Sequence, residues 1–364
     1  MAKKQKSNIQ MLRQPAEIRY AQELEVLIAE DTGARPSGWR LSPRSVLLYL
    51  MGGETNSGLK IQPKYLGNKN LLELCIATLL TDRALLLTGL PGTAKSWLSE
   101  HLAAAISGTS LLMIQGSIGI DEQALRYSWN YAALLQQGPS EAALVQSPVM
   151  QAMKQGSLCR LEELTRLPTE VQDILISVLS EKVITIPELK QEVFAVQGFN
   201  CIATANDRDR GIHELSSALR RRFNIVQLPM PTSLEDEMRI ITYRLDQILA
   251  EEGLEKYKIK IKPLEEVITI FRELRNGMTE DKMKKIKMPG STLSTAEILS
   301  VIQTGIYHSL YFGDGNLSPD DLAGSLQTTI IKDPKTDQVA WEEYIETTLK
   351  SRKEWKSWYE ALKK

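Results

Sequence analysis

The residues Gly89-Leu90-Pro91-Gly92-Thr93-Ala94-Lys95-Ser96 carry the most specific chemical pattern in this 364-residue sequence. They lie between the apolar run Leu85-Leu86-Leu87-Thr88 and a helical pattern over 97–107, the strand–loop–helix context in which a glycine-rich loop cradles phosphate. Backbone N–H groups of such a loop, with the N-terminus of the helix behind it, form a positive concavity for an anion. Lys95 then reaches the β- and γ-phosphates, and the Ser96 hydroxyl is an Mg²⁺ ligand. Gly89, Pro91, Gly92, Thr93, Ala94, Lys95, Ser96 and Trp97 are the candidate nucleotide-binding residues. Ala94 stands where GxxxxGK[ST] has its last glycine. As a small residue at the point where the loop merges into the helix, it is expected to take helical torsions.

Three more groups follow in order. The run Leu158-Cys159-Arg160-Leu161-Glu162-Glu163 reads as a strand ending in two acids. The first would hold Mg²⁺, mostly through water, and the second would orient and polarise an attacking water. Glu162 occupies a position more usual for Asp, and an extended Glu carries its carboxylate about 1.5 Å farther out. An amphipathic edge strand with exposed acids is the competing reading. The buried strand Phe199–Ala205 delivers Asn206, which would bond the γ-phosphate or the lytic water, or merely cap a turn with Asp207. Arg220-Arg221-Arg222 ends a short helix before Phe223. A guanidinium offered to a neighbouring site stabilises the charge of phosphoryl transfer, whereas a basic helix end complementing the helix dipole is the plainer account.

The elements that must position these groups are legible in outline. From Gly67 to Pro231 apolar strands alternate with periodic helices, the pattern of a parallel sheet covered on both faces. A strand at Leu111–Ile114 is expected as the partner that follows helix 97–107. Helix 168–181 shows one apolar stripe, and a hairpin over Val183–Ile186 and Glu192–Val196 follows it. Pro229-Met230-Pro231 marks a boundary, after which Thr232-x-x-Glu235, Ser294-x-x-Glu297 and Ser318–Asp321 each announce a helix start. Four regions result: a helical extension over 1–60, a nucleotide-binding core over 61–231, a helical lid over 232–330 and an amphipathic C-terminal helix over 331–364.

Composition narrows the function classes. With 43% apolar and 24% charged residues the chain is an ordinary globular one. Lys+Arg of 44 against Asp+Glu of 45 leaves −1, which removes the whole-chain electrostatic case for nucleic acid or an anionic membrane. The lysines at 282, 284, 285 and 287 read as a solvated helix end or loop. Cys75, Cys159 and Cys201 have no CxxC spacing, which fits buried thiols in a reducing cytosol, so a cytoplasmic location is expected. No stretch approaches the ~20 apolar residues of a membrane span.

Taken in order, these elements resemble the AAA+ superfamily, and in finer pattern its MoxR branch. EELTRLPTEVQDILISVLSEKVITIP (162–187) is similar to that branch's Walker B strand, helix and hairpin entry, FNCIATAND (199–207) to its sensor-1 strand, and GIHELSSALRRRF (211–223) to the segment with its arginine finger. The resemblance covers roughly residues 65–325. It implies an α/β fold, a P-loop AAA+ parallel sheet sandwiched by helices and followed by an all-helical lid domain. It implies ATP and Mg as ligands, Glu163 as catalytic acid, Asn206 as sensor 1, and Arg222 as leading finger candidate with Arg221 and Arg220 in reserve. It further implies a hexameric ring, the hairpin as presensor insertion, an adenine pocket near Tyr65–Asn68, and a protein client or von Willebrand factor A domain partner matured in a chaperone-like way. The stretch Gly290–Glu297, where relatives carry a sensor-2 arginine, holds no basic residue, so one from elsewhere substitutes or lid closure is weakly coupled to ATP. Glu162 and that gap motivate an alternative, a nucleotide-dependent scaffold with little hydrolysis. A DNA-linked motor is a third reading, which the neutral charge opposes.

Overall fold

The N-terminal pattern folds into three helices, α1 (Ala16–Arg19), α2 (Ala21–Glu30) and α3 (Pro43–Met51). Ser42 caps α3 by accepting the Ser45 N–H, and Pro43 sits in its first turn, where a missing N–H costs nothing. A two-residue ribbon, β1 (Gly53–Glu54) with β2 (Lys60–Ile61), and helix α4 (Lys69–Thr78) lead to the sheet. The computed structural model describes residues 11–206, 213–254, 257 and 261–364. Two units divide the chain: the first runs to Gly89 and from Ala94 to Leu228, the second comprises Leu90–Thr93 and Pro229–Lys364.

Short apolar runs bounded by turns become the interior strands of a parallel sheet, because both of their faces are buried. In the first unit β3 (Ala84–Thr88) is followed by α5 (Lys95–Ser107) and β4 (Met113–Gln115). An insertion comes next: α6 (Glu122–Leu125), β5 (Tyr127–Trp129), α7 (Tyr131–Gln137) and β6 (Leu144–Gln146), with β5 and β6 antiparallel. Then come α8 (Pro148–Gln155), β7 (Leu158–Glu162), α9 (Thr169–Ser180), the antiparallel hairpin β8 (Val183–Ile186) with β9 (Gln191–Phe194), β10 (Asn200–Thr204), α10 (Ser217–Arg220) and β11 (Phe223–Gln227). The sheet order is β11-β3-β10-β7-β4, all neighbours parallel. β4, the expected strand after α5, pairs with β7; it starts two residues later and ends one residue later than the expected Leu111–Ile114. Strand β7 is no edge strand: it runs between β10 and β4 and is buried throughout.

The period of two along each strand sorts the core. Leu85, Leu87, Leu158 and Ile202 pack with α3, α4 and α5, while Ala84, Leu86, Cys159, Leu161, Cys201 and Ala203 pack with α8 and α9. All three cysteines are buried and free. Burial pushes the Cys75 and Cys201 thiols up to about 12 and raises that of Cys159 too, so none is a ready nucleophile.

The second unit is helical: α11 (Leu234–Glu251), α12 (Ile261–Asn276), α13 (Thr295–Phe312) and α14 (Pro319–Ile330). α11 starts with Ser233 as a simple N-cap, one residue on from the expected Thr232, its hydroxyl accepting the Asp236 N–H; the expected box of Thr232 with Glu235 does not form. The boxes of Ser294 with Glu297 and Ser318 with Asp321 form as read. The tail differs from a single amphipathic helix. It breaks into α15 (Asp337–Tyr344), a wide turn over 345–349, a tight turn at 353–355 and α16 (Lys356–Ala361). Across the break Trp341, Tyr344, Trp355 and Trp358 all lie in the core of this unit. Three buried carboxylates fix it. Glu273 accepts from the Tyr344 hydroxyl and the Arg352 guanidinium, Glu266 from Trp358 Nε1, and Asp337 from the backbone N–H groups of Gly290, Lys332 and Asp333. Among the described residues no helix is long and apolar enough to cross a membrane.

Candidate functional site

The loop 89–96 leaves the C-terminal end of β3, beside the position where the sheet order reverses between β11 and β10, the usual ligand crevice of an open parallel sheet. Lys95 is buried and its Nζ donates to the Gly89 carbonyl at 2.9 Å, so the ammonium is folded back over the loop. Thr93 closes the loop on itself, its hydroxyl donating to the Leu90 carbonyl at 2.9 Å. Ser96 opens the first turn of α5 with its side chain exposed. Ala94 is not helical. Its φ of 64° and ψ of 27° are left-handed, a conformation that costs an L-residue with a Cβ roughly 1–2 kcal/mol. That is the reason glycine suits this position, and the loop carries the strain at Ala94 instead. Trp97 turns away from the loop, its Nε1 donating to the Lys64 carbonyl at 2.7 Å and its ring packing on His101.

Period two also puts Leu158, Arg160 and Glu162 on the α5 face of β7. The Glu162 carboxylate is almost wholly enclosed and receives four donors. Oε2 accepts from the Ser96 hydroxyl at 2.6 Å and the Thr204 hydroxyl at 2.8 Å; Oε1 accepts from the Ser99 hydroxyl at 2.5 Å and Arg160 Nη2 at 2.7 Å. The longer side chain thus folds back to α5 instead of reaching outward. Burial alone would raise this carboxyl, but Arg160 and the three hydroxyls outweigh it and hold it below the ordinary range. Arg160 is equally enclosed: Nε donates to Ser99 Oγ, Nη1 to the Ser110 carbonyl and Nη2 to the Ser96 carbonyl.

Glu163 follows with a left-handed backbone, φ 53°, that turns it out of the strand. Its N–H donates to Thr204 Oγ1 at 3.0 Å, so one hydroxyl links both acids. Its carboxylate is a third exposed and pairs with Arg166 Nη1 at 2.7 Å. The approach is close: a Cβ on Gly116 would lie 2.2 Å from the Glu163 carbonyl oxygen, so only glycine fits there. Asn206 stands just past β10, half-buried, while Asp207 and the first residues of the 211–223 run lie outside the described residues. Of the three arginines, Arg222 is held by Ser180 Oγ and the Ala218 carbonyl, and Arg220 and Arg221 are exposed.

Sequence reasoning passed over Ser99, Thr204 and the partnership of Arg160. Ser99 lies three residues from Ser96, on the same helix face, and Arg160 two from Glu162, on the same strand face; those spacings were the available signal. Thr204 depends on sheet register, which spacing does not reveal. In the second unit, Lys332 comes from beyond α14 to the head of α13, bonding Glu297 Oε1 and the Thr292 carbonyl.

Comparison with known proteins agrees with this geometry. Residues 84–223 match the AAA domain of the dynein-related subfamily, and residues 235–362 match the YehL-like AAA+ ATPase C-terminal domain. The protein YehL of Escherichia coli strain K12 is 38% identical over 360 residues, spanning 97% of this chain and 98% of that one. A Staphylococcus haemolyticus protein is 29% identical over 148 residues, 40% of this chain and 56% of its own length. Among solved structures, NtrX of Brucella abortus superposes with a TM-score of 0.50 at 14% identity over 82% of this chain and 63% of its own, and its ADP complex matches equally at 0.50, over 81% and 61%. This chain therefore spans about three fifths of those longer proteins, and the likeness is one of fold. The chain belongs to the YehL-like AAA+ ATPase family; it binds and hydrolyses ATP.

Proposed function

We propose that this AAA+ ATPase is a ring-forming, Mg²⁺-dependent remodelling machine of the MoxR branch that matures or rearranges partner proteins. The observation that carries the reading is the hydroxyl of Ser96 donated to Glu162 at the mouth of the phosphate loop, with Glu163 turned out beside it. A hydroxyl that spends its hydrogen on a carboxylate keeps its lone pairs for a cation, so Ser96, oriented by Glu162, fits an Mg²⁺ ion, which when bound would neutralise phosphate charge. Gly89, Pro91, Gly92, Thr93 and Ala94 supply backbone to the phosphates, and Lys95 moves from the Gly89 carbonyl to the β- and γ-oxygens. Glu163 takes the proton of the attacking water, with Asn206 holding that water or the γ-phosphate. Arg222, freed from Ser180 and Ala218, reaches the site of the next subunit. Six copies would complete every site in a closed ring.

The Glu163–Arg166 ion pair favours a second reading, a scaffold of low basal turnover, because it engages the catalytic carboxylate. Turnover and sedimentation of purified protein separate the two. The wild type is expected to hydrolyse ATP and to assemble with Mg-ATP, Lys95→Ala to do neither, and Glu163→Gln to assemble without turnover. Assembly with negligible wild-type turnover would support the scaffold, and a chain that stays monomeric with Mg-ATP would remove the ring.

A further inference from the structure

The two departures in β7, an arginine inside the strand and a glutamate at its end, are one device. A carboxylate offers about four lone-pair sites, and all four on Glu162 are filled: Ser96 and Thr204 on one oxygen, Ser99 and Arg160 on the other. No site is left for direct ligation of a cation. The charge is also cancelled, since the Arg160 side chain is 7% exposed and the Glu162 side chain 3%, with the pair at 2.7 Å. Arg160 in turn grips the backbone on both sides, at the Ser96 and Ser110 carbonyls and at Ser99 Oγ, so the pair is cross-braced to the first turn of α5.

We propose that Arg160 is a positioning residue that saturates and neutralises Glu162, so that the free protein has no cation site of its own and the divalent ion arrives only as a metal–nucleotide complex, seated on the free lone pairs of Ser96. This inference rests on the assignment of the phosphate loop to Mg-nucleotide. It makes Glu162 an anchor that aims the Ser96 hydroxyl rather than a ligand.

Removing Arg160 leaves a buried, uncompensated carboxylate with an open lone pair, which attracts a cation. Loss of one unit charge within a side-chain length of a divalent ion changes affinity by upward of ~100-fold at an effective dielectric of ~20. Mn²⁺ is the probe, followed by its electron paramagnetic resonance signal at pH 8 in nucleotide-free protein, with Arg160→Met and Arg160→Gln both made. Gln keeps a neutral donor and so tolerates folding should Met not. The wild type is expected to leave free Mn²⁺ unbound at concentrations where either variant binds it at least tenfold more tightly, and Glu162→Gln added to either variant is expected to abolish the gain. In parallel, a fluorescent ADP analogue is titrated with and without Mg²⁺. Wild-type protein that ignores the analogue would undo the assignment of the loop itself. Wild-type protein that binds the analogue with Mg²⁺, and free Mn²⁺ as tightly as the variants do, would overturn the role of Arg160 alone. So would variants that gain no Mn²⁺, or a gain that survives Glu162→Gln.

Discussion

Replacing Ala94 with glycine tests the loop geometry by the sign of its effect. In a right-handed turn, glycine would destabilise the chain by roughly 0.5–1 kcal/mol through its greater freedom when unfolded. The observed φ of 64° reverses that expectation. Relief of left-handed strain is worth roughly 1–2 kcal/mol, and subtracting the same unfolded-state cost leaves a net gain of about 0–1.5 kcal/mol. Because Ala94 is exposed, no lost packing enters the sum. Urea unfolding followed by circular dichroism reads the change as a higher midpoint for the first unit at unchanged slope. A lower midpoint for Ala94→Gly would mean that the residue is right-handed and that the strain assigned to the loop does not exist. Ala94→Val supplies the counterpart: a β-branched side chain is poorly accommodated at positive φ, and a loss larger than the glycine gain is expected.

Other perturbations have signs fixed by the structure. Arg222→Ala is expected to lower turnover by ~10³-fold or more while nucleotide affinity holds, against a small effect for Arg221→Ala; equal losses would move the finger one residue. Burial pushes the Lys64 ammonium down to about 8, against the upward pull of Glu23. A folded-state value below the unfolded one favours the neutral form, so this contribution is full above about 10.5 and is lost as pH falls through about 8. Wild-type stability should therefore rise between pH 8 and 10.5 relative to Lys64→Met, and parallel urea midpoints for the two across that window would contradict the assignment. Trp358→Ala removes a fully buried ring and the donor to Glu266, and should cost the second unit about 3–5 kcal/mol. A loss under 1 kcal/mol by calorimetry would show the tail to be loosely docked.

What the sequence made legible was local. Gly89–Ser96, the strand ending at Glu162, the apolar stripe of α9 and the hairpin after it are contiguous patterns of period two or 3.6, and each forms within a residue or two of its expected bounds. Ala94 was misread because a small side chain is compatible with either hand of helix, and only the turn demanded by Lys95 decides between them. The sheet neighbours of β4 were not legible, because they follow from topology and not from adjacency in sequence. The tail looked like one helix since its aromatic residues keep helical spacing; the kinks come from three carboxylates, Glu266, Glu273 and Asp337, whose partners are up to 92 residues away. The insertion from α6 to β6 went unread because its pieces are three to seven residues long.

The first helices bear on how this catalytic core can be moved between proteins. Glu100 of α5 takes Arg13 Nη2 and the Ala16 N–H, Tyr49 bonds His101 Nδ1, and α5 is buried from Leu98 to Ile106. The segment from Arg13 to Met51 is thus a roof over the helix that starts at the phosphate loop, not a detachable adaptor in front of it. A graft or truncation cut near residue 61 would uncover Leu98, Leu102 and Ile106 together and loosen the anchorage of Lys95 and Ser96 from behind. A portable piece must therefore include the chain from Arg13 onward, and any partner that recruits this enzyme through that segment must do so without lifting the roof.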